Sequence, residues 1–149
     1  MHPFDLKAAL LAKHAQHVVL IHFPIALFIA GVAFDFLAQW TRQRLLAAAA
    51  YCNFVAAAVV TVPVLITGVL AWQWQLEGQR LKGILLMHFV LGCASSLLIW
   101  VVCLVHMRAQ RKFGGDLPGY RLLIEAVGVA LVALTGHLGG FLSGVNGPG

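Results

Sequence analysis

The sequence predicts an all-α integral membrane protein, a four-helix bundle that runs up and down with both termini on the same side. Three observations predict this fold class. Of the 149 residues, 61% are hydrophobic and only 10% are charged, and the mean hydropathy is +0.90. A soluble domain carries about 25% charged residues to hydrate its surface. The apolar residues also form four long runs, and short polar segments separate those runs.

Each run is long enough for the roughly 20 residues of helix that cross a bilayer. The helices are predicted at about residues 18–40, 45–72, 84–107 and 121–143, within one transmembrane domain that covers 1–149. Short connections make consecutive helices antiparallel neighbours. The runs are uniformly apolar and do not alternate with polar residues, which favours helices over a lipid-facing β-barrel.

The segment before the first run, residues 2–16, carries Lys7 and Lys13. It predicts either an amphipathic arm along the membrane surface or a disordered leader. It does not resemble a cleavable signal peptide, because the apolar run that follows is longer than a signal core and lacks a convincing small-residue cleavage site.

Lysine and arginine residues set the expected orientation. The first and third loops, with the residues flanking them, carry six of these residues, whereas the N-terminal arm and the second loop carry four. The positive-inside rule then places both termini outside the cytoplasm, on the periplasmic face of a bacterial inner membrane. This pattern accounts for the net charge of +5, so no nucleic-acid partner is expected.

Three histidines are expected at one depth in the membrane. His22 and His88 lie about five residues into the first and third helices, and His137 lies about five residues before the fourth helix ends. At 1.5 Å per residue this depth is roughly 7 to 9 Å below the outer membrane edge. His17 adds a fourth imidazole nearer the water. Ionisable residues inside membrane spans are rare, and each is a functional hypothesis by default.

Imidazoles that converge from different helices favour a cofactor site. Neutral imidazole ligates haem iron axially, and it is also the commonest protein metal ligand. The sequence therefore predicts a b-type haem held by two of His22, His88 and His137, with His17 and the glycines Gly68, Gly139 and Gly140 contributing to the site. A uniformly apolar run does not show which face of a helix turns inward, so the sequence does not decide which two of the three histidines are the axial ligands. A copper or zinc ion on the same three histidines is the alternative, as is a site without any cofactor.

The spacing of the cysteines excludes two other kinds of cofactor site. Cys52, Cys93 and Cys103 lie inside apolar runs, and no CxxC or CxxCH spacing occurs. Covalent c-type haem and a zinc ribbon are therefore excluded.

Two acidic residues, Asp35 and Glu125, lie in the opposite half of the predicted bundle. The basic groups at a compatible depth are those of His106, Arg108 and Arg121. Because charges inside membranes pair with one another, an internal ion-pair cluster is expected there.

Two segments resemble a known family. His17-Val18-Val19-Leu20-Ile21-His22-Phe23-Pro24-Ile25-Ala26-Leu27 is similar to the opening HPxxVHFPIAL signature of a bacterial four-span family called domain of unknown function 2231. Thr135-Gly136-His137-Leu138-Gly139-Gly140 resembles its closing TGHLGG signature, while Thr67-Gly68 and His88 resemble its second- and third-helix motifs. Val18 departs from the family pattern, which has proline there. The resemblance implies four helices and signature histidines at positions 17, 22, 88 and 137, but no particular activity.

Two functional hypotheses follow. In the first, the protein is a small membrane electron carrier that exchanges electrons with a quinone or a periplasmic redox protein. In the second, it is an accessory subunit without a cofactor, packed in a larger respiratory or photosynthetic membrane complex or in a homo-oligomer. A stand-alone enzyme is disfavoured, because the sequence offers no nucleophile–base pair.

Overall fold

The computed structural model describes residues 15–111 and 117–143, and it confirms the predicted all-α bundle. Four helices follow one another: α1 (Ala15–Thr41), α2 (Arg44–Gln75), α3 (Gly83–Arg111) and α4 (Arg121–Leu142). All four are long and apolar enough to cross a membrane. The expected N-terminal arm lies largely outside the described residues. The described residues contain no strand.

The helices extend past the apolar runs that predict them. α2 reaches Gln75, and α3 continues to Arg111. Their lengths of 32 and 29 residues correspond to about 48 and 44 Å at 1.5 Å per residue. Both exceed the roughly 30 Å hydrocarbon core, so their polar ends reach into the headgroup regions.

The four helices form a closed ring of neighbours. α1 packs most extensively against α2, and α3 against α4, while α2–α3 and α1–α4 contacts complete the ring. At the centre the rings of Phe28 and Phe54 lie 5.7 Å apart. Two glycines let the backbones approach these rings. A Cβ atom on Gly31 would lie 2.8 Å from Phe54, and one on Gly128 would lie 2.6 Å from Phe28. Small residues at such crossings are the usual packing device in membranes.

One half of the core is polar. Asp35, His106, Arg121 and Glu125 are all almost completely buried. Arg121 pairs with Asp35 at 2.8 Å, and His106 pairs with Glu125 at 2.9 Å. The ion-pair cluster expected from the sequence is therefore confirmed, except that Arg108 is exposed and contributes no ion pair among the described residues.

Candidate functional site

The other half of the bundle contains a cleft to which all four helices contribute. Its deeper part has a volume of about 320 Å³ and its outer part about 250 Å³. Both parts are lined by His17 of α1, Gly68 and Trp72 of α2, and His88 of α3. Gly139 of α4 lines the outer part. The deeper part falls at the small end of the range of about 300 to 1,000 Å³ for ligand sites, and its lining is mainly apolar as such sites require.

The hydrogen bond of His88 fixes its tautomer. Its Nδ1 lies 3.1 Å from the carbonyl oxygen of Thr135 on α4. A carbonyl oxygen only accepts, so Nδ1 carries the proton and donates it. In the neutral ring, Nε2 then holds a lone pair.

His17 reaches the same state by a different route. Its Nδ1 lies 3.2 Å from Oγ1 of Thr67 on α2. The Thr67 hydroxyl donates its proton to helix carbonyls, those of Pro63 at 2.9 Å and Val64 at 3.1 Å. Thr67 therefore accepts from His17, and the Nε2 of His17 also holds a lone pair. A ligating histidine almost always donates its other ring N–H to an oxygen in this way.

Two glycines make room for these rings. A Cβ atom on Gly68 would lie 3.0 Å from Cε1 of His17, and one on Gly139 would lie 3.1 Å from Cε1 of His88. Each imidazole thus lies against a helix backbone that carries no side chain. Any larger residue would push the ring, so Gly68 and Gly139 position the two histidines.

The structure separates the remaining predicted residues from this cleft. His22 is exposed on α1, where its Nδ1 lies 2.6 Å from the Val18 carbonyl oxygen four residues earlier. His137 is exposed on α4 and contacts Phe141 edge-on, with ring centroids 5.0 Å apart. Neither residue lines the cleft. Gly140 is half-buried and does not line it either. The structure therefore brings together His17, His88, Gly68 and Gly139 of the predicted set.

Three further residues belong to the site but were not singled out as ligand contacts from the sequence. Thr67 and Thr135 orient the two imidazoles. Trp72 lines the cleft and donates from Nε1 to the Gln79 carbonyl at 2.9 Å. Thr135 could have been found from the sequence, because it lies about one helical turn before Gly139 and therefore shares its helix face.

The number of donor atoms in the cleft bears on which type of cofactor it could hold. Among the described residues, the one group of three or more histidine, cysteine or carboxylate ligand atoms within 4.8 Å of one another is that of Asp35, His106 and Glu125, and it includes neither cleft histidine. Structural zinc takes four protein ligands and catalytic zinc takes three. Two imidazole nitrogens fall short of either set, whereas two is the number of axial ligands that a haem iron can take.

Fold and site together define a four-helix integral membrane protein with a histidine-lined cleft between its spans. Residues 13–147 match the family described as "Predicted membrane protein (DUF2231)". The chain belongs to this family, as its two signature motifs indicate. No curated protein and no solved structure matches the chain.

Proposed function

We propose that the protein is a small membrane electron-transfer protein that binds one b-type haem in the cleft, with His17 and His88 as the axial ligands. One observation carries this proposal. Two imidazoles from different helices each donate Nδ1–H to an oxygen on a further helix, which leaves both Nε2 lone pairs for a ligand. The proposal replaces the open choice among His22, His88 and His137 with one defined pair.

The surrounding residues are mostly apolar, which suits the apolar faces of a haem. Leu85 and Phe89 of α3 line the deeper cleft together with Val64 and Ile21. These side chains keep water away from a bound cofactor. Leu81 also lines the cleft, and the exposed Arg80 and Lys82 flank it in the α2–α3 loop. Their positive charges suit the two carboxylates that a haem carries at its edge.

When bound, haem supplies one-electron chemistry by cycling between ferric and ferrous iron. The residues of the chain hold its plane, exclude water and set its electronics. Thr67 and Thr135 act on the ligand field through the Nδ1 hydrogen bonds, since such outer partners raise the basicity of a ligating imidazole. The expected electron partners are a quinone in the membrane and a periplasmic redox protein.

The location of the protein is part of the proposal. The lysine and arginine bias supports a bacterial inner membrane protein whose termini and cleft face the periplasm. The cleft lies where α1 and α3 begin and where α4 ends, so it shares the side of the termini. A redox partner in the periplasm can then approach the cleft directly.

A panel of four histidine variants tests the ligand assignment. We expect His17→Ala and His88→Ala to lose the haem of the purified protein, as measured by pyridine haemochrome. We expect His22→Ala and His137→Ala to retain it, because both side chains lie on outer faces. These two variants remove the same imidazole at a similar depth and are the matched controls. Loss of haem in His22→Ala with retention in His17→Ala would refute the proposed pair.

A second function, that of a cofactor-free accessory subunit, is favoured by a separate observation. His22 and His137 are exposed on the outer faces of α1 and α4. Polar side chains in spans usually face other helices or a water-filled cavity, because lipid solvates them poorly. These two faces therefore suit contact with another membrane protein or a second copy of this chain. Cysteine cross-linking at Phe23 and Phe141, both exposed beside these histidines, tests this. Cross-linked products in native membranes support the contact, and their absence at both positions contradicts it.

A further inference from the structure

The buried polar cluster combines groups from three helices in the half of the bundle away from the cleft. Asp35 lies on α1, His106 on α3, and Arg121 and Glu125 on α4. Their exposed fractions are 1%, 3%, 5% and 0%. On α4, Glu125 precedes Gly139 of the cleft by 14 residues, which is about 21 Å along the helix. The cluster is therefore separate from the proposed haem site.

Arg121 is fully occupied by partners other than Glu125. Its Nε donates to Oδ2 of Asp35 at 2.8 Å, and its Nη2 donates to Oε1 of Gln39, also at 2.8 Å. Its Nη1 donates to the carbonyl oxygens of Leu117 and Pro118 at 3.3 and 3.4 Å. The guanidinium and the Asp35 carboxylate together sum to zero charge.

Glu125 is left with one hydrogen-bond partner. Its Oε1 lies 2.9 Å from Nε2 of His106, and its Oε2 is buried without a hydrogen-bond partner. The ring of Phe54 from α2 covers His106, with ring centroids 4.6 Å apart. The charged groups that face the pair are thus Asp35 from α1 and Arg121 from α4, and α2 presents this aromatic ring.

The sum of the buried charges indicates how many protons the Glu125–His106 pair holds. With Asp35 and Arg121 neutralising each other, a Glu125 carboxylate beside a neutral His106 would leave one uncompensated negative charge. Burying such a charge without a compensating partner is strongly unfavourable, even after the surrounding structure relaxes. We propose that the Glu125–His106 pair is a binding site for one exchangeable proton inside the membrane. The proton comes from water and completes either a His106 imidazolium, which donates from Nε2 to the Glu125 carboxylate, or a Glu125 carboxylic acid, and either form makes the four-residue cluster neutral.

A divalent metal ion is the competing occupant. Ligand atoms of Asp35, His106 and Glu125 lie within 4.8 Å of one another, which is near the span of a first coordination shell. A divalent ion would change the charge sum from −1 to +1, however, whereas a proton changes it to zero. The fixed guanidinium of Arg121 beside Asp35 also disfavours a cation there. Charge balance therefore favours the proton.

The experiment uses the small number of glutamates in the chain. Glu77 and Glu125 are the only two, and Glu77 is exposed in the α2–α3 loop. In a Glu77→Gln protein, ¹³C-labelled glutamate reports on Glu125 alone without touching the cluster. Solid-state NMR with ¹⁵N-labelled histidine then identifies the His106 nitrogen by its dipolar coupling to the labelled carboxyl. At neutral pH we expect the pair to show one extra proton, either a carboxylic acid or an imidazolium.

A charge-changing variant sharpens the test. In Asp35→Asn, the charge of Arg121 becomes available to balance Glu125, so we expect the pair to lose its proton at neutral pH and show a carboxylate beside a neutral imidazole. Finding no extra proton on the intact cluster of the Glu77→Gln protein at neutral pH would overturn the proposal. So would an unchanged proton in Asp35→Asn, or a stoichiometric divalent metal in the Glu77→Gln protein that Glu125→Gln abolishes. None of these outcomes depends on haem, so the proton site and the proposed electron carrier can fail separately.

Discussion

Replacing Arg121 with methionine should destabilise the bundle more than any other single change in the polar cluster. Methionine keeps an unbranched apolar stem but removes the guanidinium that donates to Asp35 at 2.8 Å. With the shared proton retained, the buried charge sum falls from zero to −1. Breaking a buried ion pair and leaving one charge uncompensated costs about 3 to 5 kcal/mol. That amount is a large fraction of the 5 to 15 kcal/mol that typically stabilises a folded protein.

Two companion variants separate charge balance from lost packing. Asp35→Asn keeps an oxygen acceptor for Arg121, and the charge sum returns to zero once the shared proton leaves, so its cost should be about 1 to 3 kcal/mol. The double variant Asp35→Asn/Arg121→Met also sums to zero with the proton retained. It should therefore be more stable than Arg121→Met alone.

Reversible unfolding in mixed micelles by added SDS, followed by tryptophan fluorescence, measures all three costs. The coupling in this double-mutant cycle should be at least about 2 kcal/mol, since groups in one ion-pair network are not additive. An Arg121→Met cost below about 1 kcal/mol would refute the reasoning. Strict additivity of the two substitutions would refute it as well.

Three further predictions concern packing, the cleft and topology. Gly128→Ala should cost about 1 to 3 kcal/mol of stability by overpacking, because its Cβ would lie 2.6 Å from Phe28. The control Gly136→Ala places its Cβ 3.7 Å from the nearest neighbour and should change stability by no more than about 0.5 kcal/mol. Equal costs for the two variants in the same SDS titration would contradict this. Thr67→Val removes the side-chain acceptor for His17 and should weaken haem binding about 10- to 100-fold in a haem titration, whereas T67S should bind haem as the wild type does. Unchanged affinity in Thr67→Val would contradict a role for this hydrogen bond. Alkaline phosphatase fused to either terminus should be active and green fluorescent protein dark; the reverse pattern would invert the proposed orientation.

The fold was predictable because it depends on composition and run length. Four apolar runs with short polar breaks leave an antiparallel bundle as the natural solution. The ion-pair cluster was predictable for a related reason, since few charges occur within the spans and they must find one another. Depth alone brings Asp35 and Glu125 to the level of His106 and Arg121, and the structure pairs them.

The two histidines that line the cleft were harder to predict, because the depth of a residue in the membrane does not say which way its helix face turns. His17 and His22 are five residues apart, or about 140° around an α-helix at 3.6 residues per turn. They cannot both face the cleft, and the structure turns His17 inward. Gly139 and His137 are about 200° apart on α4 by the same rule, so the helix face that presents the glycine to His88 turns His137 outward. The two threonine acceptors lie on other helices, 50 and 47 residues away from their histidines in sequence, and no local pattern connects them.

The absorption spectrum of the detergent-purified protein, oxidised and then reduced with dithionite, tests directly whether the cleft binds haem. We expect a Soret band that shifts on reduction and sharp α and β bands, with about one haem per chain and two histidine ligands. A featureless spectrum from protein produced with ample haem supply would contradict the electron-carrier proposal. The cleft would then be an apolar packing defect lined by His17 and His88, and the accessory-subunit function would be favoured.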